Sequence, residues 1–175
     1  MKNEIKKELQ EFHKRIEEVK VLGIVLNSYT TSIDVEDNDI LFDLYEFFCE
    51  HLEEIQNQCI SVYIQIYSWQ FQSYHEGVST YYTNFYGNSD YDTIQKTDDY
   101  LKKSTYSELS KWYSLGVHDY SNYINKKYPN GWVNETKIID EWIQYNEKII
   151  FEFMLHLCLN IFSLLREEKL DNKTK

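Results

Sequence analysis

The chain has 175 residues, with only one proline and five glycines, and its formal net charge is −11. A chain of this length buries roughly two-thirds of its unfolded surface, so one domain can build a core without disulfides or metal. The scarcity of proline and glycine argues against a turn-rich β-fold, and the acidic balance argues against direct binding to nucleic acid or to membrane phosphates.

The surplus of acidic residues lies in the middle of the chain. Residues 21–100 contain fourteen Asp or Glu and a single Lys or Arg, which is Lys96. The segments on either side are nearly balanced, with six basic against five acidic residues in 1–20 and eleven against ten in 101–175. Because an acidic surface raises encounter rates with basic partners, we expect a basic protein as the partner.

The first twenty residues are predicted to form an amphipathic helix, because their apolar residues recur at steps of four and three. This stripe consists of Ile5, Leu9, Phe12, Ile16 and Val19. Its short length favours docking onto the domain, with a homodimer joined through the stripe as the alternative. The charges scattered through this segment do not fit a signal peptide, and we expect a cytoplasmic protein.

A much longer helical row follows the polar segment 27–38, which we interpret as a loop. It predicts one long helix, or two helices in near-continuation around residues 56–58. The row consists of Leu41, Leu44, Phe48, Leu52, Ile55, Cys59, Val62, Ile66 and Trp69.

Five carboxylates fall within one narrow arc on the side opposite this row. They are Asp39, Asp43, Glu46, Glu50 and Glu53, and they form the predicted partner-binding stripe. A solvated surface normally mixes both signs of charge, whereas this helix has no Lys or Arg to offset the stripe. A role in solubility alone is the competing interpretation.

The helix is predicted to end at Gly77, and an aromatic cluster then follows. The predicted aromatic corner consists of Trp69, Tyr74, Tyr81, Tyr82 and Phe85. Rings with polar tips suit both a packed core and a binding surface, so both interpretations stay open here.

The rest of the chain also has helical patterns. We predict a helix over residues 90–103, another stopped by Gly116, and a long final helix from about Asn134 to Lys169, with a frayed tail over 170–175. The most apolar stretch, 149–165, has polar residues at intervals of four, which fits a core helix better than a transmembrane span. The predicted architecture is all-α, a single domain over 1–175 with six to seven helices and a central C-terminal helix.

No catalytic or metal-binding motif is evident, and we expect neither a cofactor nor a metal. The three cysteines, Cys49, Cys59 and Cys158, are predicted to be buried thiols. The alternative function is a small hydrolase or metal-dependent enzyme with a cleft near His75, Glu76 and His118, although those residues also suit plain helix ends.

Residues 69–87 resemble the DNA-mimic protein family, a group of small, acidic, helical bacterial domains. The resemblance is carried by Glu76, Gly77, Tyr81, Tyr82, Asn84 and Gly87. It implies a helical fold and dimers whose carboxylates imitate DNA phosphates. We therefore expect a non-catalytic inhibitor, either a DNA mimic or an immunity-type protein, that occupies a DNA-binding protein or a nuclease toxin.

Overall fold

The computed structural model describes residues 3–21, 35–55, 57–85, 91–124 and 136–171. This part of the chain is helical and contains no strand, which confirms the all-α prediction. Its eight helices are α1 (Asn3–Val21), α2 (Val35–Glu50), α3 (Gln58–His75), α4 (Val78–Phe85), α5 (Tyr91–Lys102), α6 (Ser107–Ile124), α7 (Lys137–Tyr145) and α8 (Glu147–Asp171). None of these helices is both long enough and apolar enough to cross a membrane.

The contacts divide the chain into two compact units. The first contains residues 1–64 and 154–175, and the second contains residues 65–153. Both boundaries fall inside helices, one within α3 and one within α8. The single domain over 1–175 stays a prediction.

In the first unit, α1 buries most of its apolar stripe, of which the side chain of Val19 lies outside the described residues. Ile5, Leu9 and Ile16 are almost completely buried, and the Phe12 ring lies 5.4 Å from the ring of Phe47 in α2. Burial of one such aliphatic side chain contributes roughly 1.5–3 kcal/mol. The described residues of the stripe thus dock onto the first unit as predicted, and a homodimer joined through the stripe stays an untested alternative.

The long helical row is divided between α2 and α3, as in the two-helix version of the prediction. After α2 the backbone forms a turn in which the carbonyl of His51 accepts bonds from the amides of Glu54 and Ile55, at 3.0 and 2.9 Å. The side chain of Asn57 then accepts the amide of Cys59 at 2.7 Å, which caps the start of α3. Leu52 lies in this turn and is 42 % exposed, although it fits the apolar row.

The turn between α3 and α4 lies in the second unit, and Gly77 has φ of 86° there. The amides of Glu76 and Gly77 both donate to the carbonyl of Gln72 at 2.9 Å. Only glycine adopts this left-handed conformation at little cost. The predicted end of the helix at Gly77 is confirmed.

Gly116 does not end a helix, which corrects the prediction. It lies inside α6, where a Cβ atom would sit 2.2 Å from Cε2 of Tyr82. The glycine is therefore needed for the close approach of α4 to α6, and helix termination and close packing cannot be distinguished from the residue type alone.

The predicted final helix is two helices, α7 and α8, separated at Asn146. The side chain of Asn146 donates to the carbonyl of Trp142 at 2.8 Å, and its backbone φ of −127° departs from helical geometry. The predicted cap Asn134 lies outside the described residues. Beyond the break, α8 contributes buried residues to both units, including Ile150 and Phe153 in the second and Leu157 and Ile161 in the first.

Candidate functional site

Two of the described carboxylates on α2 point away from the buried side of that helix. Glu46 and Glu50 are exposed, whereas Leu44 and Phe48 are completely buried. Glu53 is also exposed, but it lies in the turn after α2, because the helix ends at Glu50. The predicted stripe is therefore not continuous along one helix at that end. The side chain of the fifth predicted residue, Asp39, lies outside the described residues.

The carboxylate of Asp43 forms an ion pair with an arginine of another helix. Nη1 of Arg15 in α1 lies 3.0 Å from Oδ2 of Asp43, and both side chains are partly exposed. The guanidinium also lies over the ring of Phe12, 5.6 Å from its centroid. The periodicity of α2 could not reveal this partner, because Arg15 lies twenty-eight residues earlier in the chain. We refer to Asp43, Glu46, Glu50 and Glu53 as the acidic face.

A histidine lies next to the acidic face in the turn after α2. Nδ1 of His51 is 3.8 Å from Oε2 of Glu54, and its ring lies 4.7 Å from the ring of Phe47. The turn thus combines exposed carboxylates with a side chain whose charge depends on protonation.

The predicted aromatic corner is mostly core. Trp69, Tyr81 and Tyr82 are at most 1 % exposed, whereas Tyr74 is 43 % exposed. The side chain of Phe85, the fifth member of the corner, lies outside the described residues.

The buried corner rings contact residues far along the chain. Trp69 packs against Tyr113 at 5.5 Å and Trp142 at 6.4 Å between ring centroids. The rings of Tyr81 and Tyr82 lie 5.0 Å apart, and each contacts Tyr113 at about 6 Å. The sequence identified these aromatic residues but not their partners on α6 and α7.

The tyrosine hydroxyls form a buried hydrogen-bond network. The Tyr81 hydroxyl donates to Oε1 of Gln65 at 2.7 Å and lies 2.6 Å from the Tyr113 hydroxyl. The Tyr82 hydroxyl donates to the carbonyl of Tyr113 at 2.9 Å. Burial raises the pKa of all three tyrosines above the usual value of 10. The ionised form of each hydroxyl is therefore disfavoured in the interior, and the neutral hydroxyls connect α3, α4 and α6 through hydrogen bonds.

Two carboxylates in the second unit, the buried Asp98 and the half-buried Asp140, were not singled out from the sequence. Asp98 accepts a hydrogen bond from Ser114 and pairs with Nζ of Lys102 at 2.6 Å. The spacing of Asp98 and Lys102 on one helix could have revealed that pair.

Asp140 joins three helices through one oxygen. Its Oδ1 accepts the hydroxyl of Ser73 at 2.7 Å and the amide of Val78 at 2.8 Å. Burial raises the pKa of Asp140, and these two hydrogen bonds partly oppose that rise. No sequence pattern predicts this contact, because Asp140 lies more than sixty residues from both donors.

The residues of the enzymatic alternative are exposed rather than enclosed. His75 lies against Phe71, with 4.2 Å between ring centroids, and Glu76 is exposed in the turn before α4. The side chain of His118 is 78 % exposed, 3.8 Å from Asp119. Among the described residues, no group of three or more His, Cys, Asp or Glu side chains could hold a metal ion.

The cysteines differ in their surroundings. Cys158 is buried and Cys59 is half-buried, but Cys49 is exposed, so the prediction of buried thiols is wrong for Cys49. Partial burial raises the pKa of Cys49, opposed by its hydrogen bond with Tyr45, and the carboxylate of Glu46 raises it further. A raised pKa lowers the thiolate fraction and with it the reactivity of this thiol.

The structure describes five of the six residues that carry the family resemblance. Glu76 and Gly77 form the turn before α4, Tyr81 and Tyr82 are buried, and Asn84 is exposed. Gly87 lies outside the described residues. Tyr81, Tyr82 and Gly77 therefore bear on the fold around α3 and α4, whereas Glu76 and Asn84 lie on the surface. Comparisons of the chain with family models, curated proteins and solved structures found no match.

Proposed function

We propose that this protein is a non-catalytic interaction module whose acidic face occupies a basic surface of a protein partner. The observation that carries the proposal is the exposure of Glu46 and Glu50 on the side of α2 opposite its buried residues, together with the exposed Glu53 in the turn that follows. Neighbouring carboxylates on a helix repel one another mildly, so the arrangement costs some helix stability in the free protein. A basic partner would relieve that repulsion.

Long-range attraction supports the same proposal. With a net charge of −11, the protein repels nucleic acid and attracts basic surfaces. Electrostatic steering of this kind acts mainly on the association rate, and it weakens as salt screens the charges. We therefore expect binding that forms quickly and falls with ionic strength.

We further propose that the partner is a DNA-binding protein or a nuclease toxin in a bacterial cytoplasm. Duplex DNA carries one phosphate per ~3.4 Å of axis on each strand. Glu46 and Glu50 lie one helical turn apart, a separation of ~5–6 Å, so this part of the acidic face approximates part of that charge array. A DNA mimic and an immunity-type inhibitor would both use such a face.

Arg15 limits which carboxylates such a partner can contact. Its guanidinium already lies 3.0 Å from Asp43, so a basic group of the partner would have to compete for that residue. Glu46, Glu50 and Glu53 are therefore the residues on which binding should depend most.

Affinity capture from the native lysate tests this proposal. Wild-type protein and the variant Glu46→Lys/Glu50→Lys/Glu53→Lys are used as baits, each with and without excess duplex DNA. A basic protein that is held by the wild type, released by duplex DNA and not held by the variant supports DNA mimicry. If both baits retain the same proteins, the acidic face is only a solvated surface.

A further inference from the structure

The outward side of α3 carries a strip of aromatic rings. Tyr67, Phe71 and Tyr74 recur at steps of four and three, so they share one face over about 10 Å of helix. Phe71 is 45 % exposed. Its ring is stacked on Tyr67 at an interplanar angle of 17°. The buried residues Ile66, Trp69 and Ser73 lie on the other side of the helix.

This strip has no Asp, Glu, Lys or Arg along its own helix, and His75 packs its ring 4.2 Å from the Phe71 ring at one end. The eighteen residues of α3 include no Asp, Glu, Lys or Arg, in a chain with a net charge of −11. Single exposed apolar residues are common on protein surfaces, whereas here Phe71 and Tyr74 are 45 % and 43 % exposed on neighbouring turns of one helix, with the half-buried Tyr67 beside them. Groups of exposed rings of this kind are found at interaction sites. Tyrosine is also among the residues that are enriched where partners bind.

Carboxylates lie at the end of the strip. The hydroxyl of Tyr74 donates to Oε1 of Glu147, the first residue of α8. Glu76 is exposed directly after α3. The surface therefore combines flat aromatic faces with negative charge, which complements a guanidinium group: its plane stacks on rings and its fork binds carboxylates.

The protein already holds one arginine in this way elsewhere. Arg15 lies over the ring of Phe12 at 5.6 Å and bonds to the carboxylate of Asp43 at 3.0 Å. The strip on α3 offers the same two kinds of group in the second unit. We propose that the outward face of α3, with Glu147 beside it, is a docking surface for an arginine-bearing segment of a partner protein.

Other occupants fit this surface less well. A second copy of the chain carries the same net charge of −11, and two acidic chains repel each other. Nucleic acid is disfavoured by the same charge. Lysine would stack more weakly than arginine, because its ammonium is a compact, strongly hydrated charge without a planar face.

The test uses the full-length protein and two short labelled peptides, one in which arginine alternates with glycine and one with lysine at the same positions. Fluorescence anisotropy measures each affinity. We expect the arginine peptide to bind about fivefold more tightly than the lysine peptide. Phe71→Ala should abolish that preference, and Glu147→Gln, which keeps an acceptor for Tyr74, should weaken binding of the arginine peptide.

Leu52→Ala is the matched control, because Leu52 is similarly exposed but belongs to the first unit; it should leave the preference unchanged. Equal affinities for the two peptides, or an arginine preference that survives Phe71→Ala, would overturn the proposal. So would a dimer in sedimentation that Phe71→Ala dissociates, since a second copy would then cover the strip. Reversing the charges of Glu46, Glu50 and Glu53 should weaken the binding of both peptides by a similar factor and leave the arginine preference unchanged. Loss of the arginine preference therefore contradicts only the docking surface on α3, and not the proposal for the acidic face.

Discussion

The hydroxyl oxygens of Tyr81 in α4 and Tyr113 in α6 lie 2.6 Å apart in the interior of the second unit. Both residues are fully buried. Since the Tyr81 hydroxyl donates to Gln65, the Tyr113 hydroxyl must donate to Tyr81. One short chain of hydrogen bonds thus connects α3, α4 and α6.

Removal of a hydroxyl from this chain should destabilise the protein. Tyr81→Phe leaves the buried Gln65 oxygen and the Tyr113 hydroxyl without their partner, which should cost about 1–3 kcal/mol of unfolding free energy. Urea unfolding followed by circular dichroism measures the change. Tyr106→Phe is the control, because that hydroxyl makes a longer bond of 3.3 Å to the carbonyl of Glu152; an equal loss in both variants would contradict the account.

Stability should also fall at alkaline pH. The folded pKa of Tyr81, Tyr82 and Tyr113 lies above 10, so these residues ionise in the unfolded chain before they can ionise in the folded one. Their contribution is complete below pH 10 and is lost as the pH rises above it. Urea midpoints measured on both sides of pH 10 should show this fall, and Tyr113→Phe should reduce it. A midpoint that does not change across this range would show that the tyrosines are not buried.

Gly116→Ala should destabilise the protein although alanine is the better helix former. The higher helical propensity of alanine should add about 1 kcal/mol to the unfolding free energy. However, the new methyl group would sit 2.2 Å from the Tyr82 ring. Overpacking of this kind costs typically about 1–3 kcal/mol and sometimes more. In the background Tyr82→Ala the same substitution should be neutral or stabilising, and a thermal melt of the four proteins measures the coupling. Additive effects would show that the two residues do not touch.

An ion-paired aspartate usually stabilises the folded state more as the pH rises, because its folded pKa is lowered. Asp140 should have the opposite effect on stability. Its folded pKa is raised above 3.8 by burial, so the folded state binds the proton more tightly than the unfolded chain. Its ionisation therefore disfavours folding at neutral pH, and that penalty disappears as the pH falls through the folded pKa toward 3.8.

The variant Asp140→Asn isolates this effect, because the amide oxygen can still accept the bonds from Ser73 and Val78. The stability of wild type relative to this variant should increase as the pH is lowered from neutral toward 4, measured by urea unfolding. A relative stability that decreases over that range would mean that the hydrogen bonds outweigh burial and lower the pKa.

The ion pair between Arg15 and Asp43 should add little to stability. Exposed pairs contribute about 0–1 kcal/mol, and salt screens them. A double-mutant cycle with Arg15→Ala and Asp43→Ala, measured at low and high salt, should give a coupling energy in that range that shrinks with salt. A larger coupling that does not depend on salt would show that the pair is shielded from water.

The fold class and several local features could be predicted because they depend on short-range physics. Helical periodicity identifies the buried side of α2 and α3, and a glycine after an amphipathic stretch identifies the end at Gly77. The break between α2 and α3 was recognised only as an alternative, because the apolar row continues through the turn.

The remaining features depend on contacts between distant parts of the chain. The role of Gly116 follows from Tyr82, which lies thirty-four residues earlier, and the bond of Asp43 to Arg15 follows from the packing of α1 on α2. The tyrosines of the corner were visible in the sequence, but their burial depends on Tyr113 and on Trp142 of α7. Periodicity carries no information on such pairs.

The most direct test of the acidic face compares two variants with the same net charge. One reverses Glu46, Glu50 and Glu53 to Lys, and the other reverses the exposed residues Asp99, Glu108 and Glu141 of the second unit. The affinity of each for the basic protein captured from the lysate is measured in parallel with wild type. Our account predicts that only the first variant loses binding; an equal loss in both would mean that net charge alone, and not the acidic face, holds the partner.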